Sequence, residues 1–129
     1  MPNRINYSSG SRWEDLVGYS RAVKIGNIVE VSGTVAADEN GMVVGEHDAY
    51  KQTVYILQKI EKALVEAGAS LKDVTRTRMF VTDISKFNEY ARAHTEAFSG
   101  SKPCTSMLEI KALVAPEYLI EIEATAIII

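Results

Sequence analysis

The chain has 129 residues, of which 47% are hydrophobic and 24% are charged, a composition typical of a folded globular domain. Aspartate and glutamate (17) outnumber lysine and arginine (14), and the resulting net charge of -3 argues against nucleic acid or an anionic membrane as a partner. A single cysteine excludes an internal disulfide, two histidines without metal-binding spacing argue against a zinc site, and the N-terminus lacks the apolar core of a signal peptide. We therefore expect one cytoplasmic domain over residues 1–129, without metal or cofactor.

The first half of the chain predicts a hairpin followed by a helix. β-branched residues alternate with polar ones over 19–25 and 27–36, and Gly26–Asn27 between these segments is a tight-turn signal. From Ala49 to Ala67 the apolar residues instead recur at intervals of three and four, which indicates an amphipathic helix, with Asp48 as its N-cap.

The second half predicts one more helix and three strands. Residues 74–83 alternate as a strand, Ser85 caps a helix that ends at Phe98, and strands follow over 105–113 and 119–128. Right-handed crossovers place both helices on the same face of one mixed sheet. The expected fold is an α+β two-layer sandwich.

The helix-free side of this sheet, called the open face below, carries an unusual mixture of side chains. Strand alternation assigns these residues to it: Glu30, Ser32, Thr34, Arg76, Arg78, Phe80, Thr105, Met107, Glu109, Lys111, Glu121 and Glu123. A solvated sheet face usually carries fewer large apolar groups than this one. The pattern therefore predicts a homo-oligomer whose subunits meet through the open face.

Four strings in this order carry a resemblance to a known family: GYSRAVKIGNIVEVSGTVA, AGASLKDVTRTRMFVTDI, EAFSGSKPCTSMLEI and LIEIEATAI. Together they resemble the Rid family, the YjgF-type reactive intermediate deaminases once catalogued as L-PSP endoribonucleases, over roughly residues 16–128. The resemblance implies a chorismate-mutase-like (ferredoxin-like) α+β fold, a homotrimer, and three small-molecule clefts between subunits.

The resemblance also implies a site. In active members, an Arg grips the carboxylate of a 2-imino acid or its enamine tautomer, a Glu activates water, and a Tyr and a Ser line the pocket. Glu121 falls on the catalytic Glu, Tyr19 on the Tyr and Ser32 on the Ser, but Thr105 falls on the Arg. A threonine hydroxyl offers one neutral hydrogen bond in place of two charge-assisted ones, which costs on the order of several kcal/mol of carboxylate binding.

Other residues could contribute to the same cleft. Arg76 and Arg78 share the predicted face of Glu121, and we favour Arg78 as the substitute anchor because it lies nearer the middle of its strand. Arginines at an interface also serve subunit contacts, so this second interpretation stays open. We expect Met107 to form a pocket wall or to fill space at the subunit interface.

Three further residues have mainly structural interpretations. Glu123 fits a cross-strand pair, His94 lies on an apolar helix stripe as a packed, hydrogen-bonded side chain, and Cys104 is turned away from Thr105 by alternation.

Three functions remain in competition. The first is a deaminase or related hydrolase that converts reactive imines or enamines to keto acids and ammonia in an inter-subunit cleft. The second is a non-catalytic module that binds a small, carboxylate-bearing metabolite, which the loss of the Arg favours. The third, an RNA-directed endoribonuclease or translation inhibitor, is disfavoured by the acidic charge balance.

Overall fold

The computed structural model describes residues 3–129, which form one six-stranded sheet with two long helices on one face. The strands are β1 (Arg4–Tyr7), β2 (Ala22–Ile25), β3 (Ile28–Thr34), β4 (Val74–Val81), β5 (Cys104–Glu109) and β6 (Ile120–Ile127). The helices are α1 (Arg12–Val17), α2 (Ala49–Glu66) and α3 (Phe87–Phe98), with 3₁₀ turns at Leu71–Asp73 and Ile84–Lys86.

The sheet is mixed, in the strand order β1-β2-β3-β6-β4-β5. Strands β4 and β5 run parallel because α3 connects them, and the other neighbouring pairs run antiparallel. The α+β fold expected from the sequence is confirmed. Strand β1 and helix α1 were not predicted, since both are very short; α1 nevertheless has a cap at Ser11, whose hydroxyl accepts from the Trp13 N–H at 3.3 Å.

Helix α2 begins where its sequence signal places it. The Asp48 carboxylate accepts a hydrogen bond from the Lys51 N–H at 2.9 Å, which satisfies a free donor of the first turn. Gly68, at φ 85°, follows the last turn in the left-handed conformation. The buried stripe of α2 packs on the inner sheet face through these fully buried aliphatic residues: Ile56, Ile60 and Leu64 from the helix, and Val29, Val81, Ile120 and Ile122 from the sheet.

A β-bulge interrupts β3 at Ser32–Gly33. Val31 pairs with Ala124 and Thr34 with Ile122, so three steps along β3 oppose two along β6. The extra residue reverses the facing of Thr34, which is buried on the helix side. The prediction that Thr34 shares a face with Ser32 was therefore wrong, because strict alternation fails at a bulge.

Strand β5 is also reversed relative to the sequence prediction. Its register pairs Thr105 with Thr77, Met107 with Met79 and Glu109 with Val81, and these three β4 residues are buried beneath the helices. Thr105, Met107 and Glu109 therefore belong to the helix side, while Lys111 lies beyond the end of β5. Here the strand is one residue longer at its start than predicted, and its apolar pattern is too weak to fix the facing.

The open face, as the structure has it, combines charged groups with exposed aliphatic side chains. Glu30, Ser32, Arg76, Arg78, Phe80, Glu121 and Glu123 lie on it as predicted. It also presents Ile25, Ile28, Leu108 and Ile127, which are 41%, 45%, 47% and 38% exposed. The face has the apolar character that the sequence analysis associated with subunit contact.

Candidate active site

Glu121 lies on the open face of β6, against the bulge of β3. Gly33 has no side chain at this point, and a Cβ there would fall 2.9 Å from Cδ and 3.3 Å from Cγ of Glu121 and would overlap its Oε2. Burial raises the pKa of the Glu121 carboxyl; the positive charge of Arg21 opposes this shift and the negative charge of Glu123 adds to it. The bulge thus provides a recess for a carboxyl group that holds its proton more tightly than usual.

Arg21 is the residue near this recess that the sequence analysis missed. Its Nη2 donates to the Gly33 carbonyl at 3.0 Å and its Nη1 donates to the Thr34 hydroxyl at 3.2 Å. Within residues 3–129, the buried Nε of Arg21 has no hydrogen-bond partner. The sequence feature that could have identified Arg21 is its position two residues after Tyr19, in the segment that pairs with the VSG part of β3.

Tyr19 and Ser32 lie beside Arg21, as the resemblance implies for pocket residues. The guanidinium carbon of Arg21 is 5.8 Å from the centroid of the half-buried Tyr19 ring. Ser32 donates its hydroxyl proton to the Ser20 carbonyl at 2.6 Å, so its remaining lone pairs can only accept. The structure thus brings Tyr19, Ser32 and Glu121 to one end of the sheet.

Thr105 and Met107 lie elsewhere in the same protomer. Thr105 is exposed on the edge strand β5 and Met107 packs partly against the core, both on the helix side. Two strand spacings separate β5 from β6, about 10 Å, and the side chains of Thr105 and Glu121 point to opposite faces. A single protomer therefore does not bring these two residues to one small ligand.

The Thr105 hydroxyl is the end of a hydrogen-bonded chain that enters the protein. The buried Thr77 hydroxyl is 2.7 Å from the Thr105 hydroxyl and 2.8 Å from Nε2 of His94. The His94 ring is buried beside Phe98, with 4.6 Å between ring centroids, and burial lowers the pKa of His94. The prediction of a packed, hydrogen-bonded histidine is confirmed, whereas its link to Thr105 was not foreseen.

Arg78 does not approach Glu121. Its Nη1 pairs at 3.1 Å with Glu123, its cross-strand neighbour, and the two side chains are 48% and 37% exposed. This pairing agrees with the structural interpretation of Glu123. Arg76 lies opposite Thr125 on β6 and Cys104 on β5, so the exposed Cys104 thiol is on the open face and not beside Thr105.

The part of the chain that the structure describes, residues 3–129, shows neither a metal-binding cluster nor a membrane-spanning helix. In this range no group of three or more histidine, cysteine, aspartate or glutamate side chains is arranged to hold a metal ion. None of its helices is long and apolar enough to cross a membrane.

Known proteins similar to this chain cover nearly all of it. The family model described as "Endoribonuclease L-PSP" matches residues 10–128. The 3-aminoacrylate deaminase RutC of Acinetobacter baylyi is 37% identical over 126 residues, 98% of either chain. The uncharacterized protein SCO2049 of Streptomyces coelicolor is 34% identical over 118 residues, 92% of this chain and 87% of that one.

A solved structure supports the same assignment. The crystal structure of Rv2704 from Mycobacterium tuberculosis, described as a member of the YjgF/YER057c/UK114 family, superposes with a TM-score of 0.89. It is 48% identical, and the match covers 98% of this chain and 100% of that one. The chain therefore belongs to the endoribonuclease L-PSP family, the YjgF-type family that its four sequence strings resemble.

Proposed function

We propose that this protein is a deaminase that hydrolyses small imine or enamine acids to keto acids and ammonia, with Glu121 as the catalytic residue. The observation that carries the proposal is the Glu121 carboxyl, seated in the recess over Gly33 with a raised pKa. A carboxyl group with a raised pKa is a better general base near neutral pH than an ordinary glutamate. The name of the similar RutC protein specifies an enamine acid, 3-aminoacrylate, as its substrate.

The reaction needs only water and proton transfers. An enamine first takes a proton on carbon and loses one from nitrogen to become the imine. Water then attacks the imine carbon while the Glu121 carboxylate accepts a proton from that water. The carboxyl returns this proton to the nitrogen, which gives a carbinolamine. The carbinolamine hydroxyl then passes its own proton through Glu121 to the nitrogen, and the C–N bond breaks as the C=O bond forms and ammonia leaves. Imine plus water thus gives carbonyl product plus ammonia, and neither metal nor redox cofactor is required.

We place this reaction in a cleft between two protomers. Thr105 and Glu121 lie on opposite faces of one sheet, so a small substrate that touches both must lie between Thr105 of one protomer and Glu121 of another. The exposed aliphatic residues of the open face support self-association through that face. A homotrimer, as the resemblance implies, is the assembly we propose.

Arg21 is our first candidate for a cation that attracts the substrate carboxylate. It is the positive charge that opposes the raised pKa of Glu121, and only two of its five N–H donors are used, by Gly33 and Thr34. Arg78 remains the alternative predicted from the sequence, although it has a partner in Glu123. Substituting each arginine by alanine compares the two directly.

Semicarbazone formation tests the proposal. Threonine dehydratase releases an enamine acid, semicarbazide traps its imine, and an active deaminase lowers the yield of semicarbazone. We expect wild-type protein to suppress the trapped product and E121Q to lose that suppression. E123Q is the matched control, because Glu123 lies two residues away on the same face of β6 and pairs with Arg78. Wild-type protein without effect on several imine acids would refute the deaminase.

Thr105 favours one second candidate, a non-catalytic module that binds a small carboxylate-bearing metabolite in the same cleft. Its neutral hydroxyl supplies less carboxylate affinity and less orientation than a guanidinium. Saturable binding of a 2-keto acid, without suppression of semicarbazone, would support this module over the enzyme.

A further inference from the structure

A chain of three hydrogen-bonded side chains links the protein interior to Thr105, the residue that falls on the carboxylate-binding Arg of active family members. It runs from Nε2 of His94 on α3 through the Thr77 hydroxyl on β4 to the Thr105 hydroxyl on β5, with steps of 2.8 and 2.7 Å. Thr77 is completely buried, while Thr105 is exposed. One end of this hydrogen-bonded chain is therefore buried, and the other end can contact a ligand.

The burial of Thr77 needs an explanation. A buried hydroxyl is unfavourable unless it is hydrogen-bonded, and a valine would fill the same volume without that requirement. Within residues 3–129, the Thr77 hydroxyl is hydrogen-bonded to His94 and Thr105, the other two members of the hydrogen-bonded chain. Thr77 thus fits a linking role between His94 and Thr105 better than a simple space-filling role.

Proton counting shows what the chain does to Thr105. The buried Thr77 hydroxyl has one proton, and within residues 3–129 its hydrogen-bond partners are His94 and Thr105, so it donates to one of them and accepts from the other. If His94 Nε2 carries a proton, it donates to Thr77, Thr77 donates to Thr105, and the Thr105 proton is left to point outward. If Nε2 is unprotonated, the direction reverses and Thr105 offers an incoming ligand only lone pairs.

An anionic ligand distinguishes these two states, because a carboxylate accepts hydrogen bonds and repels lone pairs. We propose that His94 and Thr77 are positioning residues that hold the Thr105 hydroxyl as an outward donor to the substrate carboxylate. The proposal rests on the proposed function for the identity of the substrate, and it assigns the neutral Nε2–H tautomer to His94. Aligned donors in such a chain polarise one another, which strengthens the last hydrogen bond.

Binding of pyruvate, a small 2-keto acid, tests the proposal without any turnover. T105V removes the terminal hydroxyl and should weaken pyruvate binding about tenfold, as expected for a hydrogen bond to a charged group. T77V removes the link while keeping the shape, and we expect it to weaken binding roughly threefold or more, within the range for one lost hydrogen bond. T77S retains the hydroxyl and should bind as wild type does.

A second measurement separates positioning from mere packing. ¹⁵N NMR of the His94 ring should show the Nε2–H tautomer in the pyruvate complex, and pyruvamide, which lacks the negative charge, should bind more weakly to wild type than pyruvate does. The Nδ1–H tautomer in that complex, equal pyruvate affinities of T77V and T77S, or no pyruvate binding at all would overturn the proposal. If T77V does not fold, T105V, whose substitution lies at an exposed position, replaces it in the test. Unchanged pyruvate affinity of T105V would also overturn the proposal.

The two proposals fail separately. If wild-type protein does not suppress semicarbazone formation but binds pyruvate in a Thr77-dependent way, the deaminase proposal is refuted and the positioning proposal stands. If T77V and T77S show deaminase activity with the same KM, the positioning proposal is refuted and the deaminase proposal stands.

Discussion

Substitution of Gly33 by alanine separates catalysis from stability. The new Cβ would lie 2.9 Å from Cδ of Glu121 and overlap its Oε2, so the carboxyl group must move by roughly 1 Å to reach ordinary van der Waals contact. The backbone at Gly33 does not lie in the left-handed region, so alanine brings no backbone strain. The moving group is the flexible end of a side chain, and we expect the free energy of unfolding to change by less than about 1 kcal/mol.

Activity should respond much more strongly than stability. A displacement of about 1 Å in a catalytic group can cost roughly 100-fold in rate. The assay is initial-rate suppression of semicarbazone formation, with urea unfolding of the same preparations. G100A is the matched control, because a Cβ at Gly100 meets no atom within 4 Å. A G33A protein with wild-type activity would show that the position of Glu121 over the bulge does not matter for the reaction.

Three further substitutions test the electrostatics. Because burial raises the pKa of Glu121, the folded state binds this proton more tightly than the unfolded state does, and the stability of wild type falls as pH rises above 4.5, the ordinary pKa of the group. In urea unfolding, E121Q should therefore be more stable than wild type at pH ~7 and not at pH ~4. Burial lowers the pKa of Lys59 from 10.5 to about 8, so the unfolded state binds more protons than the folded state between these two values. The free energy of unfolding of wild type should therefore rise as pH increases from about 8 to 10.5, and K59M should lack this rise. R78A should change the free energy of unfolding by at most about 1 kcal/mol, since its pair with Glu123 is exposed, and a larger loss in a thermal melt would mean that the pair is buried in an assembly.

The fold was largely predictable because its long elements carry strong periodic signals. Helix α2 combines an apolar stripe with an Asp48 cap, and β6 alternates cleanly between buried and exposed residues. The short β1 and α1 have four and six residues, too few for a period to show. The same strong alternation placed Glu121 on the open face correctly.

The candidate site was predictable only in part. Tyr19, Ser32 and Glu121 follow from the family strings, and the structure places all three at one end of the sheet. The facing of Thr105 and Met107 could not be read from β5, whose side chains are mostly exposed or half-buried on both sides and so show no clean alternation. Arg21 depends on the bulge at Gly33, since its hydrogen-bond partners are there and alternation alone does not reveal them.

Strand β5 is one of the two edge strands of the sheet, and it exposes Thr105, whose outer side no further strand in residues 3–129 flanks. The residue behind it, Thr77, is completely enclosed. In the proposed cleft, exchange of this one peripheral side chain would change ligand preference while the hydrophobic interior stays intact, at the cost of the hydrogen bond that the buried Thr77 hydroxyl donates to it.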